Sequence, residues 1–322
     1  MEEKTDQLDR RILLELDRNS RQSFSQLAKK LKTSKSVVTY RIKQLEDKKI
    51  IKGYYTVIDT SKLGYYNFRV YIKLRETSKK QKEEIIDYLV ASKNTWWVAT
   101  TIFPYDIASI FIAKNLHEFN HIFKEFLRKF KKNMHEYDVE IYVDIKHFFR
   151  DYLVFDELIE NRKFITMGEE EKLDLNKQEL DVLREVSLNS RTGTVKLAKK
   201  LKMSPITAKN IIKRLQKLGV IQGFRILFDY SRLDYEYYWI HIDVTGIEKE
   251  EKLKQFVRMF PETVYLAETV GGMDVEFGVQ VKREKGIQKI LVDIFDRFDN
   301  VITDYKYFKV LENKKVIYMP QE

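Results

Sequence analysis

Two groups of residues in this sequence have the types and spacing that chemistry requires. The first is "HEFNH" at His117–His121, which fits H-E-x-x-H, a pattern in which two histidines bind zinc and the glutamate is a general base. Apolar residues at helical spacing define the opposite face of this segment: Leu116, Phe119, Phe123, Phe126, Leu127 and Phe130. We therefore expect both histidines on a solvated face without a third ligand, and we predict neither a metal site nor a catalytic residue.

The second group is basic and surrounds a repeated hexapeptide. "LAKKLK" occurs at Leu27–Lys32 and again at Leu197–Lys202. At the same offset of 170 residues, Leu8–Gly64 and Gln178–Asp234 share 20 identities in 57 positions without a gap. Self-similarity at a fixed offset is typical of an internal duplication. We therefore predict two copies of one unit, here called copy 1 and copy 2, with a connector at residues 147–172 that is partly packed at its start and solvated at its acidic end.

Each copy opens with the pattern of a helix-turn-helix. In copy 1, "SFSQ" at Ser23–Gln26 has capping-box form, and Ser34 can cap the next helix after a tight turn. In copy 2, Asn176 with Glu179 caps the first helix, and Ser204–Pro205 supplies an N-cap followed by proline. In a helix-turn-helix, the second helix places its N-terminal residues at base edges in the major groove. The chain therefore has two predicted reading helices.

The candidate DNA contacts are the residues that face away from the apolar stripes of these helices. In copy 1 they are Lys29, Lys30, Lys35, Ser36, Thr39, Tyr40, Arg41 and Lys43. In copy 2 they are Lys199, Lys200, Pro205, Ile206, Lys209, Asn210, Lys213 and Arg214. Residues 1–62 carry a net charge of +6 and residues 173–232 a net charge of +8, whereas the rest of the chain has −4. Lysine-rich faces are often merely solvated, but this distribution favours double-stranded DNA as the partner.

The remainder of each copy has the pattern β-α-β-β-α-β. Its first and last strands are predicted at Phe68–Leu74 and Glu136–Ile145 in copy 1, and at Tyr237–Val244 and Ile302–Val310 in copy 2. This order is the ferredoxin-like pattern. Tryptophans on the strands indicate that a second sheet covers the open face of each sheet, within the chain or between chains. We predict an α+β protein with winged helix-turn-helix domains at residues 1–62 and 173–232 and ferredoxin-like domains at residues 63–146 and 233–322.

The stretch "SKSVVTYRIKQLEDKKIIKGYYTVIDTSKLG", from Ser34 to Gly64, carries a family resemblance. Together with the element order, it resembles the Lrp/AsnC family of leucine-responsive, feast/famine transcriptional regulators, once per copy. The resemblance implies a sequence-specific DNA-binding regulator that self-associates through its ferredoxin-like domains. It also implies that an amino acid or another small effector binds near a glycine-aspartate loop.

The two copies depart from the family pattern at different places. Copy 2 keeps the effector loop as Gly271, Gly272, Met273 and Asp274, whereas copy 1 has "FPYD" at the equivalent position. A pair of glycines lets the backbone approach a ligand closely, although it is also common in plain β-turns. In the reading helix of copy 2, Ile211 replaces the family arginine. We therefore expect that an effector, if one binds, binds to copy 2. We also expect a DNA site that is non-palindromic or is bound mainly by copy 1.

Two alternatives remain open. The siroheme decarboxylases of haem synthesis resemble the same fold, and they would need histidine and arginine side chains in the sheet cleft to hold an acidic tetrapyrrole. His241 is the only histidine that the sequence pattern places on a strand in the cleft, which argues against that enzyme, although fold alone does not decide function. The other alternative is an architectural DNA-binding protein, which would bind DNA without preferring an operator.

Composition limits the remaining classes. None of the 322 residues is a cysteine, which excludes disulfides, thiolate nucleophiles and Cys-based zinc sites. The first ten residues are too charged for a signal peptide, and no apolar run approaches the length of a membrane span. The net charge of +10 indicates an anionic partner. We expect a cytoplasmic protein that needs no cofactor and does not bind membranes.

Overall fold

The computed structural model describes residues 5–168, 171–283 and 285–320. Copy 1 begins with α1 (Gln7–Arg18), α2 (Phe24–Leu31), α3 (Lys35–Asp47) and β1 (Ile51–Ile58). The predicted capping box of Ser23 and Gln26 starts α2, and Ser34 accepts a hydrogen bond from a backbone N–H of α3. The buried apolar faces of the three helices pack together, as amphipathic spacing requires. The predicted helix-turn-helix is therefore present in copy 1.

The rest of copy 1 is a sheet with two helices on its outer face. Its elements are β2 (Tyr66–Leu74), α4 (Lys79–Ala91), β3 (Thr95–Ile102), β4 (Ile107–Ala113), α5 (Leu116–Phe130) and β5 (Met134–Phe148). Alternate residues of a strand point to opposite faces. In β2, Val70 and Ile72 accordingly join the core beneath the helices, while Arg69 and Tyr71 face the other way. This confirms the predicted β-α-β-β-α-β order.

The connector is more ordered than the sequence indicated. It contains β6 (Phe164–Met167), which pairs with the end of β5. Arg162 is 7% exposed, and its guanidinium donates hydrogen bonds to Asp151 at 3.0 Å and to the Phe149 carbonyl at 2.8 Å. The same guanidinium donates to the Pro261 carbonyl of copy 2 at 3.3 Å, so packing in the connector extends beyond its apolar start as far as Met167. Glu171 of the acidic run is exposed. Glu169 and Glu170 of the acidic run lie outside the described residues.

Copy 2 repeats the element order of copy 1. Its elements are α6 (Lys177–Leu188), α7 (Thr194–Leu201), α8 (Pro205–Lys217), β7 (Ile221–Phe228), β8 (Tyr235–Val244), α9 (Ile247–Val257), β9 (Thr263–Val270), β10 (Val275–Lys282), α10 (Gln288–Arg297) and β11 (Ile302–Val316). The capping box of Asn176 and Glu179 and the N-cap Ser204 followed by Pro205 are confirmed. Within the described residues, no helix combines the length and apolar character needed to span a bilayer.

The two sheets close into a ring of eight antiparallel strands, in the order β2-β4-β3-β11-β8-β10-β9-β5 and back to β2. β3 pairs with β11, and β9 pairs with β5, so each copy supplies half of the barrel. The strand register is equivalent in both halves. Arg69 on β2 lies opposite Glu140 on β5, and their counterparts in copy 2, Trp239 on β8 and Phe308 on β11, also lie opposite each other. The prediction that one sheet covers the other is therefore confirmed, and the pairing occurs within one chain.

The two helix-turn-helix domains are also joined directly. β1 and β7 form a two-stranded antiparallel sheet, a pairing that the sequence did not predict. Beside it, the hydroxyls of Ser20 and Ser190 lie 2.6 Å apart in a buried contact. The Arg191 guanidinium donates to the Ser20 carbonyl at 2.9 Å, and the Arg21 guanidinium donates to the Thr192 carbonyl at 3.1 Å. These reciprocal contacts hold the two domains about an approximate two-fold axis.

Candidate nucleic-acid interface and barrel interior

The reading helix of copy 1 presents its predicted face to solvent. The exposed side chains are Lys35, Ser36, Thr39, Tyr40 and Lys43. The buried side chains are Val38, Ile42 and Leu45. Tyr40 is 60% exposed, and its hydroxyl accepts a hydrogen bond from Gln44 at 2.7 Å. The geometry thus leaves one polar face of α3 available to a partner.

The reading helix of copy 2 has the same geometry with different side chains. Its exposed residues are Pro205, Ile206, Lys209, Asn210 and Lys213, and its buried ones are Ala208, Ile212 and Leu215. Ile206 is 71% exposed. The two helices therefore offer equivalent faces of unlike chemistry.

Two arginines predicted to contact DNA have partners within the protein. Arg41 lies 2.8 Å from Asp6 and 3.3 Å from Asp9, and the Asp9 carboxylate, with that of Asp6, raises the pKa of Arg41. Arg214 lies 2.7 Å from Glu179, the counterpart of Asp9. In each copy an arginine of the reading helix thus binds an acid of the first helix. The two arginines do not occupy equivalent positions, because Arg214 lies three residues after the counterpart of Arg41. Both arginines therefore also position the reading helix.

The lysines of "LAKKLK" divide into two types in both copies. Lys30 pairs with Glu15 at 2.8 Å, and Lys200 pairs with Glu185 at 2.7 Å. Lys29 and Lys199 are exposed, and each makes no ion pair within the parts of the chain that the structure describes. The repeated hexapeptide therefore combines one lysine that braces the helix with one that faces solvent.

In copy 2, contacts within the protein explain the glycine and the aspartate of the predicted effector loop. Asp274 accepts a hydrogen bond from the Val244 N–H at 2.9 Å, and Asp106 of copy 1 caps Leu74 in the same way at the same distance. A Cβ on Gly272 would lie 2.1 Å from the Glu276 carboxylate, so any larger residue there would have to displace that buried side chain. The neighbouring Met273 N–H donates to the same carboxylate at 3.1 Å. The loop therefore packs on a buried acid of the barrel interior.

That acid belongs to an ionic cluster that the sequence analysis missed. Arg69 donates through Nε to Glu140 at 2.6 Å and through a terminal nitrogen to Glu276, and all three residues are 2% exposed or less. His241 Nδ1 lies 3.1 Å from Glu276. Glu140, His241 and Glu276 are the one group among the described residues that could hold a metal ion, but the Arg69 guanidinium lies between the carboxylates. The sequence carried part of the signal, since Arg69 and Glu276 each interrupt an apolar stretch of strand, but Glu140 lies on a strand with many charged residues.

A second buried cluster joins the helix-turn-helix domains of both copies to the start of the connector. Arg225 Nε lies 3.0 Å from Asp17, and the Arg150 guanidinium contacts the same carboxylate. Burial opposes ionisation of Asp17, but the two guanidinium groups outweigh it and lower the pKa of Asp17. Burial together with Arg225 and Arg150 holds the pKa of His147 well below its usual value. The cluster therefore favours a charged aspartate and a neutral histidine.

His147 also corrects a prediction. β5 extends to Phe148, three residues beyond its predicted end, so His241 is not the only histidine on a strand in the cleft. His147 is fully buried beside Tyr265, with the ring centroids 5.0 Å apart. The strand is longer than predicted because its end pairs with β6 and β9.

The zinc-like motif lies where the sequence placed it. His117 and His121 are exposed on α5, and His121 is 3.5 Å from Glu125. Phe123 and Phe126 are buried on the opposite face, as predicted. Leu116 is 64% exposed, so its assignment to the apolar stripe was wrong, because the face of α5 that packs against the core begins one turn later, at Phe119.

Two spaces lie near the barrel. The interior holds about 40 Å³ that water could enter, surrounded by aromatic rings that include all three tryptophans of the chain. A groove of about 910 Å³ lies outside, on the copy 1 flank, and its lining includes Tyr66, Lys114, Lys172 and Arg184. The barrel interior is therefore packed, and the larger of these two spaces is external.

Comparison with known proteins agrees with this architecture. A family model for a winged helix-turn-helix DNA-binding domain matches residues 5–52 and 175–222. The chain is 35% identical over 108 residues to the HTH-type transcriptional regulator LrpA of Pyrococcus horikoshii, covering 77% of that protein and 31% of this chain. The chain belongs to the Lrp/AsnC family of transcriptional regulators. It contains the family unit twice.

Two further similarities bear on the family and the fold. An HTH-type transcriptional regulator of Pyrococcus furiosus is 33% identical over 123 residues, which cover 81% of that protein and 38% of this chain. The crystal structure of the siroheme decarboxylase NirDL matches 98% of this Lrp/AsnC chain and 94% of its own, with a TM-score of 0.62 and 12% identity. At that identity the match shows a shared two-copy fold and nothing of activity.

Proposed function

We propose that this Lrp/AsnC regulator binds DNA as a single polypeptide, with copy 1 and copy 2 each reading one half-site. The observation that carries the proposal is the exposure of α3 and α8 on two domains joined by the β1–β7 pairing. In a two-domain reader, the distance between reading helices sets the spacing of half-sites. Here that distance is fixed by contacts within the chain.

The two half-sites should differ in sequence. The exposed positions of α3 and α8 share a lysine, Lys43 in copy 1 and Lys213 in copy 2, but differ at each of the other four positions. Phosphate contacts give affinity without sequence information, whereas contacts to base edges specify. The shared lysines are therefore suited to contact DNA phosphates in both half-sites. The residues that differ are suited to contact different bases, which gives a non-palindromic operator.

The first experiment measures the salt dependence of binding. Operator DNA is selected from a random pool, and the Kd is followed by fluorescence anisotropy from 50 to 300 mM salt, on the order of physiological values. Lys43→Ala and Lys213→Ala should each reduce the slope of log Kd against log salt by about one unit if each lysine contacts a phosphate. Lys79→Ala, at a 91% exposed side chain on α4, is the control and should leave the slope unchanged. An unchanged slope in both reading-helix variants would contradict the proposal.

The same selection distinguishes a regulator from an architectural protein. A regulator should prefer its operator over random DNA by about 10³-fold or more. Equal affinity for both would favour the architectural alternative. Repeating the selection with free amino acids tests the proposed effector, for which the loop of Gly271 and Gly272 remains the candidate site.

Siroheme decarboxylase activity is the second candidate function, and one observation favours it. The external groove is large, and three basic side chains, Lys114, Lys172 and Arg184, could attract an acidic tetrapyrrole. Against it, the barrel interior is far smaller than the roughly 300 Å³ at which small-molecule pockets begin, and Arg69 is already bound to two carboxylates. We therefore propose that the chain is not an enzyme. A perturbed siroheme absorption spectrum on mixing, followed by loss of carboxylate groups, would contradict this.

A further inference from the structure

The two reading helices are built alike but differ at their second residue. Both have 13 residues and a serine N-cap, Ser34 in α3 and Ser204 in α8. The second helical residue is Ser36 in copy 1 and Ile206 in copy 2. Near the N-terminus of a reading helix, this position lies among those that approach base edges. Ile206 is 71% exposed on this otherwise polar face, so its side chain leaves water only if an apolar group of a partner covers it.

The major groove offers an isoleucine one kind of partner. Its side chain cannot hydrogen-bond, and the C5 methyl of thymine is the apolar group that base pairs present in that groove. Ser36 is polar instead, and its hydroxyl lies 2.8 Å from that of Ser34. We propose that Ile206 contacts a thymine methyl group in the copy 2 half-site, and that the copy 1 half-site lacks this requirement. This inference rests on the proposed function, because it needs α8 to enter the groove.

Asn210 extends the same contact surface. It follows Ile206 by four residues, so the two side chains share one helix face about 6 Å apart along the axis. Its amide makes no side-chain hydrogen bond within the described parts of the chain, whereas its counterpart Tyr40 accepts one from Gln44. Asparagine matches the N6 and N7 atoms of adenine. Since stacked base pairs are about 3.4 Å apart, the copy 2 half-site should contain the thymine and an adenine within two base pairs.

The structure also supplies a matched control. Val195, on α7, is 70% exposed, and its counterpart in copy 1 is Ser25. It has the same exposure and aliphatic character as Ile206 but lies on the helix that precedes the reading helix. If the two residues instead formed a patch for a protein partner, neither would sense a thymine methyl. Val195→Ser therefore separates base reading from general apolar exposure.

The experiment replaces each thymine of the selected operator in turn by deoxyuridine, which removes only the methyl group. Kd is measured by fluorescence anisotropy at one salt concentration. The parent protein should lose about fourfold in affinity at one thymine, the value of one buried methyl group. Ile206→Ser should bind the thymine and uracil forms of that site equally. Val195→Ser should keep the fourfold difference.

Two results would overturn the inference while leaving the proposed function intact. One is equal binding of thymine and uracil at every position by a parent protein that still shows salt-dependent, operator-specific binding. The other is a methyl preference that persists in Ile206→Ser. Failure of the parent protein to bind any selected DNA would overturn both the inference and the proposed function.

Discussion

The two halves of the barrel occupy equivalent positions with opposite chemistry. On one side of the two-fold axis, Arg69 faces Glu140 on the neighbouring strand, and on the other side Trp239 faces Phe308. Glu276, from copy 2, completes the ionic cluster. The fold therefore keeps the backbone of a symmetric dimer while one interior site is ionic and its counterpart is aromatic. The pairing of copy 1 with copy 2 is thus chemically distinct from the pairing of either copy with itself.

The largest test of this comparison breaks the ionic site. Arg69→Met leaves Glu140 and Glu276 buried without a counter-charge, and it should lower the free energy of unfolding by about 3–5 kcal/mol. Trp239→Phe, at the counterpart position, should cost about 1–2 kcal/mol, because it removes volume and leaves a smaller ring beneath the Arg69 guanidinium, which lies 5.0 Å from the Trp239 ring centroid, but uncovers no charge. Urea unfolding followed by circular dichroism measures both.

A triple variant controls for the loss of Arg69 itself. Arg69→Met with Glu140→Leu and Glu276→Leu removes every charge of the set, and it should recover most of the stability lost by the single change, because apolar replacements of a buried ion cluster are often tolerated. If the triple variant is less stable than Arg69→Met, the two carboxylates stabilise the fold through contacts other than their ion pairs with Arg69.

The next test concerns contacts that the two copies share. Arg21→Ala removes two hydrogen bonds, to the Ser190 and Thr192 carbonyls, whereas Arg191→Ala removes one, to the Ser20 carbonyl. Each should cost about 1.5–3 kcal/mol, the usual value for a hydrogen bond to a charged group, and the cost of Arg21→Ala should be the larger. Chemical unfolding of the two variants side by side measures the costs. A larger cost for Arg191→Ala would contradict the prediction.

The smallest test uses pH at a residue found in one copy. His147 is neutral when folded, because its pKa is held well below the ordinary value, whereas the unfolded chain takes up a proton near pH 6.5. Its contribution is therefore present above that pH and is lost as pH falls. Between pH 6.5 and 5.5 the parent protein should lose about 1 kcal/mol through this group. His147→Gln should show a correspondingly flatter dependence, and parallel curves would exclude a buried neutral histidine.

Sequence alone predicted the elements that depend on local pattern. The caps at Ser23, Ser34, Asn176 and Ser204 and the strand-helix order follow from residues a few positions apart, and all are confirmed. The exposed face of each reading helix followed from spacing in the same way.

What the sequence could not predict depends on register between distant strands. Arg69, Glu140 and Glu276 lie on β2, β5 and β10, and nothing local indicates that they meet. The pairing of β1 with β7 has the same cause, because a lone strand after a helix-turn-helix does not specify its partner. The ion pairs of Arg41 and Arg214 were missed because both arginines were judged by the reading helix alone, without the acids of the first helix that face it.

The closed ring of eight strands has a consequence for how the regulator behaves on dilution. Two separate subunits would dissociate at low concentration, and each free subunit would then carry only one reading helix. In this chain, a transient opening between β3 and β11 or between β9 and β5 leaves both halves tethered by the connector. Tethered partners meet again at an effective concentration in the millimolar range, on the order of that for short linkers. On the proposal that one polypeptide binds the operator, occupancy should therefore rise at low levels in proportion to the number of molecules present, without the steeper dependence that assembly from two subunits imposes.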